Sequence, residues 1–193
     1  MLTDRIVVFD IETSGLNPED DRITQVSALM LVDGQIAERY TSLARSNVLV
    51  PRSVSQVSGI SNEMLSHAPP IQDVIRQLRR FIGWTPVAVF NENFSWAFYQ
   101  RELQRLQLHA PQARPLCLYR LARRLLPALA HHSQIELAHH FGLSAEQGPG
   151  ANPINIELTA DLLLALAAVA SRGEGRPVDV RGLMQRVDQA QAL

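Results

Sequence analysis

Asp10 and Glu12 stand at i and i+2 in RIVVFDIETSGL (Arg5–Leu16), where an apolar run rich in β-branched residues gives way to polar ones. In an extended strand that spacing puts both carboxylates on one face. Two hard oxygen donors converging at a strand end suit Mg²⁺ or Mn²⁺, which take carboxylates, water and substrate phosphate. A solvated strand end has the same appearance, so the pair alone leaves both readings open. A second group of ligand-type residues lies in HHSQIELAHH (131–140), where His132, Glu136, His139 and His140 would share a helix face. That arrangement is either a metal cluster or an ordinary amphipathic helix. Cys117 is the only cysteine, which excludes an internal disulfide and any multi-cysteine metal site. A reduced, cytoplasmic setting is the expectation.

The elements that must position these groups follow from periodicity. Arg5–Asp10 reads as a buried strand, and Arg22–Val32 and Gln35–Leu43 as two more, joined at Asp33-Gly34, a strong hairpin signal. From Ile71 the period becomes helical through Val74, Leu78, Phe81 and Ile82 and stops at Gly83. Val87–Phe90 is a short strand, and Tyr99, Leu103 and Leu106 mark a helix. Leu116–Leu126 is expected to be helical between Pro115 and Pro127. Ser133 and Glu136 form a capping box for a helix ending near Gly142. Residues 144–154 are a Gly/Pro-rich loop, and Asn155–Ala170 a long Leu/Ala helix. The expected organisation is one domain over residues 1–170. Residues 171–193 follow as a linker and a short C-terminal helix or tail through Leu183 and Val187.

Composition bounds the rest. The 193 residues are 46% hydrophobic and 19% charged, enough to bury a core. The longest apolar run, Leu162–Ala170, is nine residues, so neither a membrane span nor a membrane partner is expected. Net charge is −1, but residues 1–40 carry eight acids against three arginines, whereas residues 76–124 carry nine arginines against two glutamates. Such asymmetry either orients an anionic partner or reflects solvated helix faces.

FDIETSGL (Phe9–Leu16) closely resembles the first motif of the DEDDh 3′–5′ exonucleases, the family of the bacterial DNA polymerase III proofreading subunit. The likeness continues in order through the Asp33-Gly34 hairpin and residues 49–70. VAVFNENFSWAFYQREL (Val87–Leu103), LYRLARRLLP (Leu118–Pro127) and HSQIELAHHFGL (His132–Leu143) extend it further. It implies an α/β, RNase H-like fold with a five-stranded mixed sheet flanked by helices. It also implies phosphodiester hydrolysis by two divalent cations about 3.5–4 Å apart, with a histidine activating water.

The resemblance assigns five catalytic positions. Asp10 and Glu12 occupy the first two. In Phe90-Asn91-Glu92-Asn93-Phe94-Ser95 the register anchored by Asn91 and Phe94 puts Ser95 where the family has Asp. Counting back from Thr159-Ala160-Asp161 puts Asn155 at the last Asp and Gly150 at the His. Three of five positions are thus uncharged, and a missing general base alone removes about 10²–10⁴-fold. The resemblance further implies that Thr13, Gly15 and Leu16, with Asn91 and Phe94, border a terminal nucleotide. Metal binding at Asp10 and Glu12 is expected to be weak or absent, with Mg²⁺ or Mn²⁺ as the cofactor if there is one.

The expected function is a catalytically inactive or impaired exonuclease-like domain that binds a protein partner or a single-stranded nucleic-acid 3′ end. A homodimer is compatible with it. The alternative is a metal-dependent 3′–5′ exonuclease with a reduced site.

Overall fold

The computed structural model describes residues 2–110, 113–143 and 156–188. Asn155 and Gly150, with the loop expected at 144–154, lie outside the described residues.

The first strands are β1 (Leu2–Thr3), β2 (Arg5–Thr13), β3 (Ile23–Val32) and β4 (Gln35–Leu43). β2–β3–β4 is the expected antiparallel meander. Asp33 (φ 50°) and Gly34 (φ 77°) both take the left-handed backbone that a two-residue hairpin turn requires. β2 does not stop at Asp10 but runs on through Glu12 to Thr13, so both carboxylates sit within the strand. Three helices follow, α1 (Arg52–Ser58), α2 (Asn62–Ser66) and α3 (Ile71–Ile82), the last with the bounds its periodicity predicts.

β5 (Val87–Val89) then pairs parallel to β2, and a π-helical turn over Glu92–Trp96 feeds α4 (Ala97–Arg105). The segment expected to be one helix from Leu116 is instead an edge strand, β6 (Leu116–Cys117), followed by α5 (Leu118–Leu125). Pairing of Ala88 with Leu116 and Val89 with Cys117 decides it, because both residues are buried as a sheet edge. The mixed sheet has five strands in the order β4-β3-β2-β5-β6.

α6 (Gln134–Phe141) carries the predicted Ser133/Glu136 capping box, and α7 runs Ile156–Glu174. Residues 171–174, expected to open a linker, prolong α7 by another turn. Beyond it β7 (Val178–Asp179) pairs parallel with β1, and α8 (Val180–Asp188) follows. Among the described residues no helix is long and apolar enough to cross a membrane.

Alternation along β2 divides the core. Val7, Phe9 and Ile11 pack with α3 and α4, while Ile6 and Val8 pack with α5, α6, α7 and α8. Asp10 and Glu12 are the next two positions on the Ile6–Val8 face. Val180, Leu183 and Val187 belong to that same cluster, so α8 closes the core on the side where the acids emerge.

One buried charge fixes the chain between β2 and β3. Glu102, fully buried on α4, accepts Arg22 Nε at 2.6 Å and Nη2 at 2.8 Å, and Arg105 Nη1 at 2.9 Å. Arg105 also donates to the carbonyls of Pro18, Glu19 and Asp21. Breaking a buried pair leaves the remaining charges uncompensated and costs about 3–5 kcal/mol. Glu102→Ala is therefore expected to lower unfolding free energy by about 3 kcal/mol in urea. Removing the exposed Asp73–Arg76 pair (3.6 Å) should cost under about 1 kcal/mol. Equal small losses in both variants would contradict this account of the loop.

Candidate functional site

Both acids are half-buried, and among the described residues no cationic side chain bonds to either. Asp10 Oδ1 accepts the Ile11 backbone N–H at 2.9 Å and the Ser95 hydroxyl at 2.7 Å. Burial raises the Asp10 carboxyl above its usual value, and these two hydrogen bonds only partly oppose it. Burial also pushes Glu12 up, to about 7, with the neighbouring Asp10 charge adding to the shift. Glu12 pairs across the sheet with Gln25, a neutral residue, and the ladder is bulged immediately after it, between Glu12 and Thr13.

Ser95 reaches Asp10 from the π-helical turn. Asn91 caps that turn by accepting the Asn93 N–H at 3.0 Å. Ser95 itself is buried, and its hydroxyl faces Asp10. Glu92 points elsewhere, onto Arg120 at 2.8 Å. Trp96 is a core residue against Phe9 and Tyr99, and Phe94 is half-buried against Phe98. Packing thus accounts for both aromatics. Asn91, expected to border a nucleotide, is exposed, and its side-chain oxygen caps the turn.

Thr13, Gly15 and Leu16 lead from the strand into the loop held by Glu102. Thr13 Oγ1 donates to the Gly15 carbonyl at 2.5 Å, and Ser14 Oγ donates to Asp21 Oδ1 at 3.0 Å. A Cβ at Gly15 would lie 2.4 Å from Asp21 Oδ2, so any other residue there displaces the Asp21 carboxylate. Leu16 is left 84% exposed at the rim, an apolar side chain presented to whatever approaches the acids.

Residues 7–148 match the family model described as Exonuclease (RNase_T). The chain belongs to the exonuclease family. It is 30% identical over 138 residues to a DNA polymerase III subunit epsilon of Treponema pallidum, covering 70% of this chain and 64% of that one. Identity is 28% over 163 residues to the 3′-5′ exonuclease DinG of Bacillus subtilis, covering 84% of this chain and 17% of that protein. The chain spans less than two thirds of either relative. In fold it resembles the nuclease domain of 3′hExo, a DEDDh family member, bound to rAMP. The TM-score is 0.70 at 14% identity, covering 90% of this chain and 94% of that domain. The five-stranded mixed sheet and flanking helices expected from the motifs match this DEDDh structure.

Exonucleases of this type imply divalent cations, and the donors here fit one. Asp10 and Glu12 form a dense negative pair that a hard cation neutralises with water and phosphate filling its remaining positions. When bound, the cation would supply positive charge to a phosphate. Among the described residues no group of three His, Cys, Asp or Glu side chains could hold a metal. The cluster envisaged in 131–140 does not form: His132 Nε2 lies 3.0 Å from the Leu126 carbonyl, and Glu136 is spent on the Ser133 cap.

The raised carboxyls have a signed consequence. Between about 4.5 and about 7, folded Glu12 holds a proton that the unfolded chain releases, so stability falls as pH rises through that window. Without metal, the melting temperature should decline from pH 4.5 to 7.5, and Glu12→Gln should flatten the decline and raise stability at pH 7.5. Mn²⁺ should restore the wild type at pH 7.5 and leave the variant unmoved. A wild-type melting curve indifferent to both pH and Mn²⁺ would refute the arrangement.

Proposed function

We propose that this exonuclease-family domain holds a single-stranded 3′ end through one divalent cation on Asp10 and Glu12 and does not hydrolyse it. The observation that carries this reading is the 2.7 Å hydrogen bond from Ser95 to Asp10. A neutral hydroxyl stands against Asp10 and spends its proton on it, where a third carboxylate would help gather a second cation. The two-cation arrangement stabilises both attacking and leaving oxygens, and a single cation leaves one of them unsupported. The sequence supports the same reading at Gly150 and Asn155, which stand where the resemblance puts the base and the last acid.

Relatives named as a 3′-5′ exonuclease and a polymerase III subunit favour a nucleic-acid terminus as the bound group. Protection or presentation of that terminus, alone or beside a protein partner, is the role such a domain fills as a scaffold. Residual one-cation 3′–5′ exonuclease activity is the competing reading.

Incubating a 5′-labelled single strand with Mg²⁺ or Mn²⁺ separates the two. The wild type should shorten it no faster than Asp10→Ala does. Combining Ser95→Asp, Asn155→Asp and Gly150→His should accelerate shortening by at least about 10²-fold, the lower contribution of a general base. Ser95→Asp alone should tighten Mn²⁺ binding with little gain in rate. Wild-type cleavage that is abolished in Asp10→Ala would establish the competing reading.

A further inference from the structure

Next to the turn that carries Ser95 lies a cavity of about 790 Å³ whose walls combine aromatic rings with Arg123 and two histidines. Its place follows from the sheet. Phe90 and Asn91 on its lining directly follow β5, and Asn91 caps the turn from which Ser95 reaches Asp10. The Phe90 carbonyl accepts the Tyr119 N–H at 3.0 Å, which brings the first turn of α5 to the same edge. Tyr119 is 37% exposed, and the Arg123 guanidinium lies over its ring at 5.9 Å from the centroid. Phe90 and His132 meet the same ring edge-on, each at 6.5 Å between centroids. His131 completes the basic side of the wall.

The one carboxylate on the lining, Glu136, accepts the Ser133 hydroxyl at 2.8 Å and the Ser133 N–H at 3.3 Å. Its charge is thereby drawn to the start of α6. Packing explains Phe90 and the His132–Leu126 contact, and i, i+4 spacing on α5 brings Arg123 onto Tyr119, both on the cavity lining. A flat unsaturated ring bearing a phosphate matches that wall: the tyrosine–guanidinium pair is a stacking platform, and the free edge of Arg123 is a phosphate donor. The volume is within the range of small-ligand sites and ample for one nucleotide.

We propose that this cavity is a second nucleotide subsite, in which an unstacked base of the bound strand lies against Tyr119 and Arg123 while its phosphate meets Arg123 and His131. The inference rests on the reading that the domain binds a single-stranded 3′ end, and it specifies how the strand continues away from Asp10. Stacking without base-edge readout makes the subsite tolerant of sequence and restricts it to unpaired strands.

The test is fluorescence anisotropy of a labelled oligothymidylate with the full chain in Mn²⁺, repeated over a series of salt concentrations. Tyr119→Ala should weaken binding about 10-fold, within the 1–3 kcal/mol worth of a stacked base. Arg123→Gln should weaken it and reduce the log–log salt slope by about 0.7, the loss of one phosphate contact on a single strand. Mn²⁺ affinity measured by calorimetry should be unchanged in both, since neither residue belongs to the acidic pair. A 5-iodouracil-substituted strand photo-crosslinked to the unaltered protein should mark Tyr119 or its neighbours. Normal wild-type binding with both variants at wild-type affinity and crosslinks elsewhere would overturn the subsite while leaving 3′-end binding intact. No oligonucleotide binding by the wild type would overturn both.

Discussion

Two half-buried carboxylates on one face of β2, with no arginine or lysine bonded to either among the described residues, are the constraint around which this molecule is arranged. Elsewhere it treats buried charge conventionally: Glu102 is enclosed by Arg22 and Arg105, and Glu92 is met by Arg120. Asp10 receives only dipoles, from Ser95 and the Ile11 amide, and Glu12 faces neutral Gln25. Such a pair is costly unless something positive arrives from outside.

The bracing has a division of labour. α4 contributes Glu102 to the loop on one side of the acids, while the π-helical turn that starts α4 contributes Ser95 on the other. α5 does the same at one remove, since Arg120 holds Glu92 in that turn and donates to the Val187 carbonyl at 3.3 Å. Packing, loop anchoring and the electrostatics of the acidic pair are therefore not separable properties of this fold.

Much of this was legible in the sequence where local rules decide. The Asp33-Gly34 turn, the α3 bounds and the Ser133/Glu136 cap depend on neighbours within four residues, and each forms as its residues dictate. The Ser95 placement was legible for a different reason, because a family motif carries long-range geometry that no local rule contains. What local reading missed is non-local. Leu116–Cys117 has an apolar pattern that suits helix or strand, and only a free edge at β5 selects the strand. The Arg22–Glu102 contact joins residues 80 positions apart, and nothing in either neighbourhood announces it. The Tyr119–Arg123 wall was hidden for the same reason, since Phe90 and His132 come to it from other elements.

The pairing of Leu2 with Val178 and the seating of α8 in the Ile6–Val8 cluster bear on how this chain is made as well as on what it does. A polypeptide leaving the ribosome presents β2–β4 early, but the face of the sheet that carries Asp10 and Glu12 lacks part of its cover until the segment through Val187 has emerged. Contacts spanning so much of the sequence form late, since the entropy of closing the intervening chain must be overcome first. During synthesis the nascent domain therefore exposes Ile6, Val8, Leu29 and Leu31 beside two unmet carboxylates. That interval is when it is most open to chaperones and to wrong partners.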